Sequence, residues 1–373
     1  MKMITVILKT TSACNFRCLY CFHEDMGYFR DSIPSDDFEK MARLCANEYD
    51  TVVFVWHGGE PMCAGLPFFK EKMEVLDRVK KDYPKVHFVN QIQTNLSLLN
   101  EDWLAFFKQY DFKIGVSFDG PHNDVTRDQT ELVLKNILYL NSQIPDLSVL
   151  GVISSQNINL IETYKYFEDK GLRFSFNPIF KEGAANENDY LLITPEQFIK
   201  SVNELFDYWI YSPKAVHVRQ YINFLYLCMG VERRLCYNGS CLGKWISLHP
   251  NGDLFPCSHY SIQSRYNIGN IHDIESISEA FSSDKMAELL EVVLEKRREC
   301  IKNCPLFPYC QSNCPASQLR NIENGMGDFE CIAFKGSFTY VQNFYNKVIN
   351  KEIPIEKLNP LVQRMFKSVF KEI

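Results

Sequence analysis

Strand-like and helix-like segments alternate through the first half of the chain, and this alternation restricts the folds that it can adopt. Six short segments are rich in apolar and β-branched residues, and stretches with helical periodicity lie between them. The predicted strands are Met3–Lys9, Thr51–Trp56, Val86–Gln93, Phe112–Phe118, Leu147–Ile153 and Leu172–Phe176. We expect Ser35 and Asn100 to cap two of the intervening helices. Six successive β–α units favour a parallel sheet wrapped by helices, either doubly wound or closed into a barrel.

The residues that directly follow these strands help to choose between the two architectures, because they are polar or glycine-rich. A cysteine-rich loop follows the first strand, and the later clusters are GGEP, QTN, SFDG, SSQN and NPIF. Active sites of parallel barrels lie at the carboxyl ends of the strands. We therefore expect a barrel in which the six clusters face one common cavity.

The pattern changes after Thr194, where the regular alternation ends. Asn251-Gly252 lies between two apolar runs and predicts a β-hairpin with strands Lys244–His249 and Leu254–Cys257. Periodicity predicts further helices over Pro195–Tyr211, Ala215–Met229, Ile277–Arg298 and Phe334–Asn350. We place a domain boundary near residue 230, which divides the chain into domains over residues 1–230 and 231–373.

Composition and charge exclude several classes of protein. The 373 residues are 46% hydrophobic and 23% charged, as in an ordinary globular protein rather than a disordered one. The net charge of −6 argues against nucleic acid as a partner. No apolar run reaches the ~18 residues that span a bilayer, and the N-terminal apolar stretch is too short for a secretory signal. We expect a cytoplasmic protein without a membrane partner.

Cysteine is used in an unusual way. Of 14 cysteines, three lie between positions 14 and 21 and eight between 236 and 331. Clustered cysteines in a reducing compartment bind metals more often than they form disulfides. Cys45, Cys63 and Cys228 stand alone, as small buried apolar residues do.

The first group, Cys14-x3-Cys18-x2-Cys21, places three thiolates within eight residues. Such short spacings allow sulfurs to converge on a 4Fe–4S cluster, in which three local ligands leave one iron open. A zinc site with a distant fourth ligand is the alternative. Spacing alone does not distinguish the two.

With Tyr20 before its last cysteine, this group resembles the signature of the radical S-adenosylmethionine (SAM) superfamily. The resemblance implies a 4Fe–4S cluster whose open iron binds SAM, and a 5′-deoxyadenosyl radical that abstracts hydrogen from a substrate. Further segments are similar to the superfamily's SAM-contacting motifs, although Leu96 replaces the glycine that usually follows QTN. The implied SAM-contacting residues are Tyr20, Gly58, Gly59, Glu60, Gln93, Asn95, Ser117 and Arg127.

The second group of cysteines resembles a SPASM domain, and the implied fold is a partial (β/α)6 TIM-like barrel followed by that domain. The resemblance implies two auxiliary 4Fe–4S clusters, three clusters in all. The implied ligands are Cys236, Cys241, Cys257 and Cys314 for the first, and Cys300, Cys304, Cys310 and Cys331 for the second. Cys300 and Cys304 are separated by three residues, where the family usually has two. Two four-cysteine zinc sites are the alternative.

Within the superfamily, the chain is similar to anaerobic sulfatase-maturating enzymes and to maturases of ribosomally made peptides. Sulfatase maturases oxidise Cys or Ser to formylglycine, with an Asp after the hairpin cysteine as general base. Ser258 stands at that position, and a hydroxyl cannot accept a proton near neutral pH as a carboxylate does. His259 and Tyr260 are the candidate replacements.

We therefore predict a peptide-modifying oxidoreductase that forms an intramolecular cross-link. Sulfatase maturation is the first alternative, and a non-catalytic iron–sulfur electron carrier or zinc-binding module is the second. The expected partners are a peptide substrate and an electron donor such as flavodoxin or ferredoxin. Because Cys14 lies so near the start, we expect no separate N-terminal leader-binding domain.

Overall fold

The first six strands lie where the sequence predicts them. The computed structural model describes residues 2–25, 32–144, 147–231, 236, 241–261, 264–323 and 327–369. Within these ranges the strands are β1 (Met3–Lys9), β2 (Thr51–His57), β3 (His87–Thr94), β4 (Lys113–Ser117), β5 (Ser148–Ile153), β6 (Arg173–Pro178), β7 (Trp245–Leu248), β8 (Asp253–Phe255) and β9 (Gly269–Asn270). Each of β1 to β6 begins and ends within two residues of its predicted bounds.

Helices cover the parallel strands and build most of the second half. In the described ranges they are α1 (Ser35–Glu48), α2 (Leu66–Asp82), α3 (Glu101–Gln109), α4 (Asn123–Thr126), α5 (Thr130–Gln143), α6 (Leu160–Glu168), α7 (Pro195–Trp209), α8 (Arg219–Cys228), α9 (Ile277–Phe281), α10 (Asp284–Asn303), α11 (Phe307–Cys310), α12 (Pro315–Glu323), α13 (Phe329–Ile349) and α14 (Pro360–Val369). Among the described residues, none of these helices is both long and apolar enough to cross a membrane.

Two predicted features at helix ends have different outcomes. Asn100 caps α3, since its side chain accepts a hydrogen bond from the Trp103 amide at 3.0 Å. The predicted cap at Ser35 is wrong, because Pro34 precedes the helix and Ser35 is its first residue. The Ser35 hydroxyl instead contacts Glu71 and Lys72 of α2.

Three predicted helices have different bounds in the structure. The helix predicted over Phe334–Asn350 begins five residues earlier, at Phe329. The single helix over Ile277–Arg298 is two helices, because the chain turns at Ser282 and Ser283 caps α10 through the Met286 amide at 3.3 Å. The helix predicted from Ala215 begins only at Arg219, since Val218 first forms a parallel bridge with Phe174. Short-range periodicity does not reveal either tertiary constraint.

One continuous sheet joins the two halves of the molecule. Its order is β6-β5-β4-β3-β2-β1-β7-β8-β9, and β1 to β6 are all parallel to their neighbours. Strand β7 lies parallel to β1 and then forms the predicted antiparallel hairpin with β8. The predicted mixed α/β fold, a partial barrel of six parallel strands, is thus confirmed, and the hairpin extends its sheet on the β1 side. The proposed boundary near residue 230 stays a prediction.

Buried aromatic rings hold the helices against the strands next to the functional region. Trp56 of β2 contacts Phe69 of α2 with 5.1 Å between ring centroids, and Phe69 contacts Trp103 of α3 at 5.3 Å. All three rings are buried. Burial of each contributes roughly 1.5–3 kcal/mol, so this packing fixes the β2 end that His57 occupies.

Candidate active site

A cavity of about 890 Å³ opens at the carboxyl ends of the strands, as the sequence predicts. Residues at or after the ends of β1, β2, β3, β4 and β6 line it together with the segment after β8. The SSQN segment after β5 is not part of the lining, so five of the six predicted clusters share the cavity. Twelve of the candidate site residues named above line it: Cys14, Cys18, Tyr20, Cys21, Gly58, Gly59, Glu60, Gln93, Asn95, Ser117, Arg127 and His259. The structure therefore brings the first cysteine group and the implied SAM motifs into one space.

The paired glycines after β2 allow the cysteine loop to lie directly against the main chain. The Gly59 amide donates to the Thr11 carbonyl at 2.7 Å. A Cβ on Gly58 would lie 2.4 Å from that same carbonyl oxygen, and one on Gly59 would lie 2.3 Å from the Ala13 oxygen. Gly58 also has a φ of +139°, which L side chains rarely adopt. These glycines therefore seat the loop that begins at Cys14.

The Glu60 side chain joins the GGEP segment to the QTN segment. Its buried carboxylate accepts hydrogen bonds from the Thr94 hydroxyl at 2.6 Å, the Asn95 amide at 2.7 Å and the Met62 amide at 3.0 Å. Burial raises the pKa of Glu60, and the three donors oppose that change. The resemblance implies a contact of this carboxylate with the SAM ammonium group. In the structure it organises the motif segments around the cavity.

The QTN and SFDG segments are also linked to each other. The Gln93 side-chain amide donates to the Ser117 hydroxyl at 2.8 Å, and the Asn95 side-chain amide donates to Asn15 at 2.9 Å. Leu96 has a φ of 59°, the left-handed conformation that glycine adopts most easily. The backbone conformation at Leu96 is therefore the one expected for the glycine that usually follows QTN, although this chain has leucine at that position.

Arg127 lies between a cysteine and a buried carboxylate. Its Nη1 is 3.9 Å from the Cys18 sulfur, and its Nε is 3.5 Å from Oδ1 of Asp119. The Tyr20 hydroxyl donates to Oδ2 of Asp119 at 2.5 Å. Burial raises the pKa of Cys18, and the guanidinium counteracts this. Asp119 was not recognised as a site residue from the sequence, where DGP indicates only a turn.

The eight cysteines of the second half form two sets. Cys241 interacts electrostatically with Cys314, Cys257 and Cys236. Cys310 interacts in the same way with Cys304 and Cys331, and Cys331 with Cys300. This is the same division into two groups of four that the resemblance implies for two auxiliary clusters.

The chemistry of these thiols fits metal ligation. Burial raises the pKa of Cys14 to about 11 and that of Cys257 to about 12, so each stays a neutral thiol until a positive charge compensates its thiolate. Bound metal supplies that charge and displaces the proton. In zinc sites, sulfurs surround one ion at about 2.3 Å. Among the described residues, no three potential ligands are arranged around a position for a single metal ion.

Two family models match the chain. The radical SAM superfamily model matches residues 8–166, and the SPASM model, an iron–sulfur cluster-binding domain, matches residues 236–315. The chain is a radical SAM enzyme with a SPASM domain. The two families imply SAM and 4Fe–4S clusters as its cofactors, auxiliary clusters included, so the electron-carrier and zinc-module alternatives are not supported.

This radical SAM enzyme has full-length relatives. A cysteine-type anaerobic sulfatase-maturating enzyme of Clostridium novyi (strain NT) is 28% identical over 362 residues, which cover 91% of this chain and 95% of the relative. A serine-type anaerobic sulfatase-maturating enzyme of Bacteroides thetaiotaomicron is 23% identical over 389 residues, covering 94% and 92%. The comparisons thus favour the sulfatase-maturase alternative over the predicted cross-link.

Solved structures share the fold of the radical SAM enzyme described here. Histidine-tagged anSMEcpe with bound AdoMet has a TM-score of 0.79 at 25% identity, covering 94% of this chain and 99% of that chain. Native anSMEcpe with bound AdoMet and Kp18Cys peptide has a TM-score of 0.78 at 25% identity, covering 93% and 99%. Streptococcus suis SuiB bound to precursor peptide SuiA has a TM-score of 0.63 at 15% identity, covering 86% and 73%, which shows the fold alone.

The side of the radical SAM cavity that faces the SPASM hairpin is lined by aromatic rings and histidines. The His259 ring stacks on Phe22 with 5.2 Å between centroids, and its Nδ1 is 4.0 Å from Oε2 of Glu182. Burial lowers the pKa of His259 to about 3, so the ring is neutral. His23 and His57 line the same side. Neither was identified from the sequence, although both lie beside recognised motifs.

The two candidates for a general base differ in position. Ser258 and His259 both line the cavity. Tyr260 is buried and packs against Tyr266 with 5.2 Å between ring centroids, outside the cavity lining. Tyr260 therefore does not line this cavity, and its role as a catalytic candidate stays a prediction.

Proposed function

We propose that the chain oxidises a Cys or Ser side chain in a peptide or protein segment. The observation that carries this proposal is the shared cavity, where Cys14, Cys18 and Cys21 face the GGEP, QTN and Ser117 segments. The similarity to cysteine-type and serine-type sulfatase maturases along nearly their whole length supports the substrate class. The peptide bound by anSMEcpe supports a peptide substrate.

The residues of this chain have separate tasks in the proposal. Cys14, Cys18 and Cys21 would hold one 4Fe–4S cluster, and the eight cysteines of the SPASM region would hold two more. When bound, SAM and the first cluster supply the radical that abstracts a substrate hydrogen. Gly58 and Gly59 seat the cysteine loop, Glu60 holds the QTN segment, and Arg127 stabilises the Cys18 thiolate. Phe22, His23, His57 and His259 line the part of the cavity in which we place the peptide.

Cross-link formation within a ribosomally made peptide is the second candidate. Ser258 lines the cavity at the position where the resemblance implies an aspartate base in sulfatase maturases. A serine hydroxyl does not take up a proton near neutral pH, and the neighbouring His259 is held neutral by burial. A reaction that needs no carboxylate base at position 258 is therefore compatible with the residues that line the cavity there.

Three matched peptides with Cys, Ser or Ala at one position distinguish the candidates. The anaerobically reconstituted enzyme is supplied with SAM and dithionite, and 5′-deoxyadenosine and peptide mass are measured. Aldehyde in the Cys or Ser peptide supports the first candidate. Loss of two hydrogens without aldehyde supports the second. If no peptide is changed and SAM is not cleaved, both are wrong.

A single substitution tests whether the residue after the hairpin cysteine, Ser258, limits aldehyde formation. Ser258→Asp adds a carboxylate to the cavity wall next to the neutral His259 ring. If the missing base limits aldehyde formation, this variant produces at least tenfold more aldehyde than the wild type. Ser258→Asn is the matched control, because it has the same size and no proton-accepting carboxylate. Equal aldehyde yield in all three proteins would show that Ser258 does not limit the reaction.

The remaining expectations on partners and location belong to the same proposal. An electron donor such as flavodoxin or ferredoxin would supply the electron that SAM cleavage requires, and the reaction would take place in the cytoplasm. The net charge of −6 gives no electrostatic reason for nucleic-acid binding. Replacement of dithionite by reduced flavodoxin in the peptide assay tests the electron donor directly.

A further inference from the structure

Lys9 is a buried lysine at the carboxyl end of β1. Only 3% of its surface is exposed. In the sheet, β1 lies between β2 and β7, and Lys9 is paired with His57 on the β2 side. On the β7 side, the register Leu8–Leu248 places His249 next to it. The lysine therefore lies in the middle of a row where the radical SAM barrel meets the SPASM hairpin.

The ammonium group of Lys9 has no carboxylate partner among the described residues. Its Nζ is 3.3 Å from Nδ1 of His23 and 5.4 Å from the centroid of the Phe22 ring. The cysteines whose negative charge would act on it, once they are deprotonated as cluster ligands, are Cys257 and then Cys21. An ammonium group taken out of water without a counter-charge is strongly unfavourable. Among the described residues, a negative charge next to the ammonium group can therefore come from these two cysteines, while the His23 nitrogen and the Phe22 ring add weaker contacts.

The two cysteines belong to different sets. Cys21 is in the first group, beside the cavity, and Cys257 is in the SPASM set with Cys236, Cys241 and Cys314. The surrounding histidines do not compete as cations, since burial lowers the pKa of His57 and of His249 to about 3. Burial also lowers the pKa of Lys9 to about 7, and the two sulfurs oppose this. One basic group thus faces two sets of cluster ligands, and the negative charge of bound clusters would favour its protonated form.

We propose that Lys9 is a charge-compensating positioning residue shared by the radical SAM cluster and the first SPASM cluster, and that it raises the reduction potentials of both. The inference rests on the proposed ligand sets. Net charge and the polar surroundings of the sulfurs set the potential of an iron–sulfur cluster. Reduction adds negative charge, so a nearby cation favours the reduced form. The second SPASM set lies on or directly beside α10, α11 and α13, whereas Lys9 ends β1 next to β2 and β7.

Redox titration of the reconstituted holoenzyme, followed by electron paramagnetic resonance, tests the proposal. In Lys9→Gln and Lys9→Met, the ratio of reduced to oxidised cluster at a fixed potential should fall at least tenfold for the radical SAM cluster and the first SPASM cluster. This corresponds to a reduction potential lower by about 59 mV for a one-electron couple. The cluster of Cys300, Cys304, Cys310 and Cys331 serves as internal control and should not change. The same titration after removal of the first cluster, by alanine at Cys14, Cys18 and Cys21, isolates the SPASM signals.

Two further variants separate charge from structure. Lys9→Arg keeps the positive charge and should keep both potentials near those of the wild type. His249→Glu leaves Lys9 in place but adds a carboxylate beside it, so it should lower the same two potentials even if Lys9→Met fails to bind iron. Unchanged potentials in the charge-removing variants, or an equal shift of all three clusters, would overturn the proposal. A wild-type protein without clusters would instead overturn the proposed function.

Discussion

The guanidinium of Arg127 lies 3.9 Å from the sulfur of Cys18, and this contact joins the predicted cluster loop to the segment after β4. The same guanidinium is 3.5 Å from Asp119, which is completely buried. Asp119 also accepts hydrogen bonds from the Tyr20 hydroxyl and, at 2.7 Å, from Thr126. A thiolate, a cation and a carboxylate therefore form one network at the cavity wall, and loss of the cation leaves two anions facing each other.

Arg127→Ala should destabilise the protein by about 3–5 kcal/mol, because it leaves the buried Asp119 carboxylate without its cation. Arg127→Lys keeps the charge but not the planar fork, so an intermediate effect is expected. Urea unfolding of the anaerobic protein measures the change. Arg78→Ala is the matched control, since its pair with Glu39 at 3.1 Å is solvent-exposed and contributes below about 1 kcal/mol. Equal losses in Arg127→Ala and Arg78→Ala would contradict the buried network.

Gly59→Ala should remove the first cluster while the SPASM clusters remain. The new Cβ would lie 2.3 Å from the Ala13 oxygen, so the loop carrying Cys14 must shift. Iron analysis should show a loss of about a third of the bound iron, and 5′-deoxyadenosine should no longer form. Gly171→Ala is the control, because its φ of +64° brings backbone strain of about 1–2 kcal/mol but no atom lies within 4 Å. The assignment of Gly59 is wrong if both variants keep full iron content.

The part of the site that could be predicted from the sequence is the part encoded by contiguous motifs. The cysteine loop and GGEP follow β1 and β2, and QTN begins in the last two residues of β3; parallel strands bring such segments to one rim. The bounds of β1 to β6 followed from the apolar, β-branched pattern of these strands.

The residues that could not be predicted depend on contacts between distant segments. In the sequence, Lys9 is the last residue of an apolar strand, and nothing distinguishes it from an exposed strand end. In the structure it is buried, and β7 pairs with β1 beside it. Tyr260 is adjacent to a cavity residue in sequence, yet its ring direction is set by packing against Tyr266. Periodicity and spacing contain no information on either contact.

Cys14→Ala should abolish 5′-deoxyadenosine formation, because three thiolates are needed to hold the first cluster. Three clusters correspond to about twelve irons per chain, and the variant should retain about eight. Iron and sulfide analysis after anaerobic reconstitution measures both values. Cys228→Ala is the control, since this cysteine lies in α8 and is outside all three sets. A wild-type content near four irons, or bound zinc, would refute the assignment of the two SPASM sets.

Arg320 of α12 connects the SPASM region to the barrel through a buried ion pair on each side. Its Nη1 is 3.2 Å from Glu182, which follows β6, and its Nη2 is 3.1 Å from Glu330 of α13. Arg320→Met should lower the free energy of unfolding by about 3–5 kcal/mol, because the buried carboxylate of Glu182 and the half-buried carboxylate of Glu330 lose their shared cation. Lys285→Met is the control, since its pair with Glu288 at 3.1 Å is exposed and contributes below about 1 kcal/mol. If urea unfolding gives the same midpoint for both variants, Arg320 does not hold the two regions together.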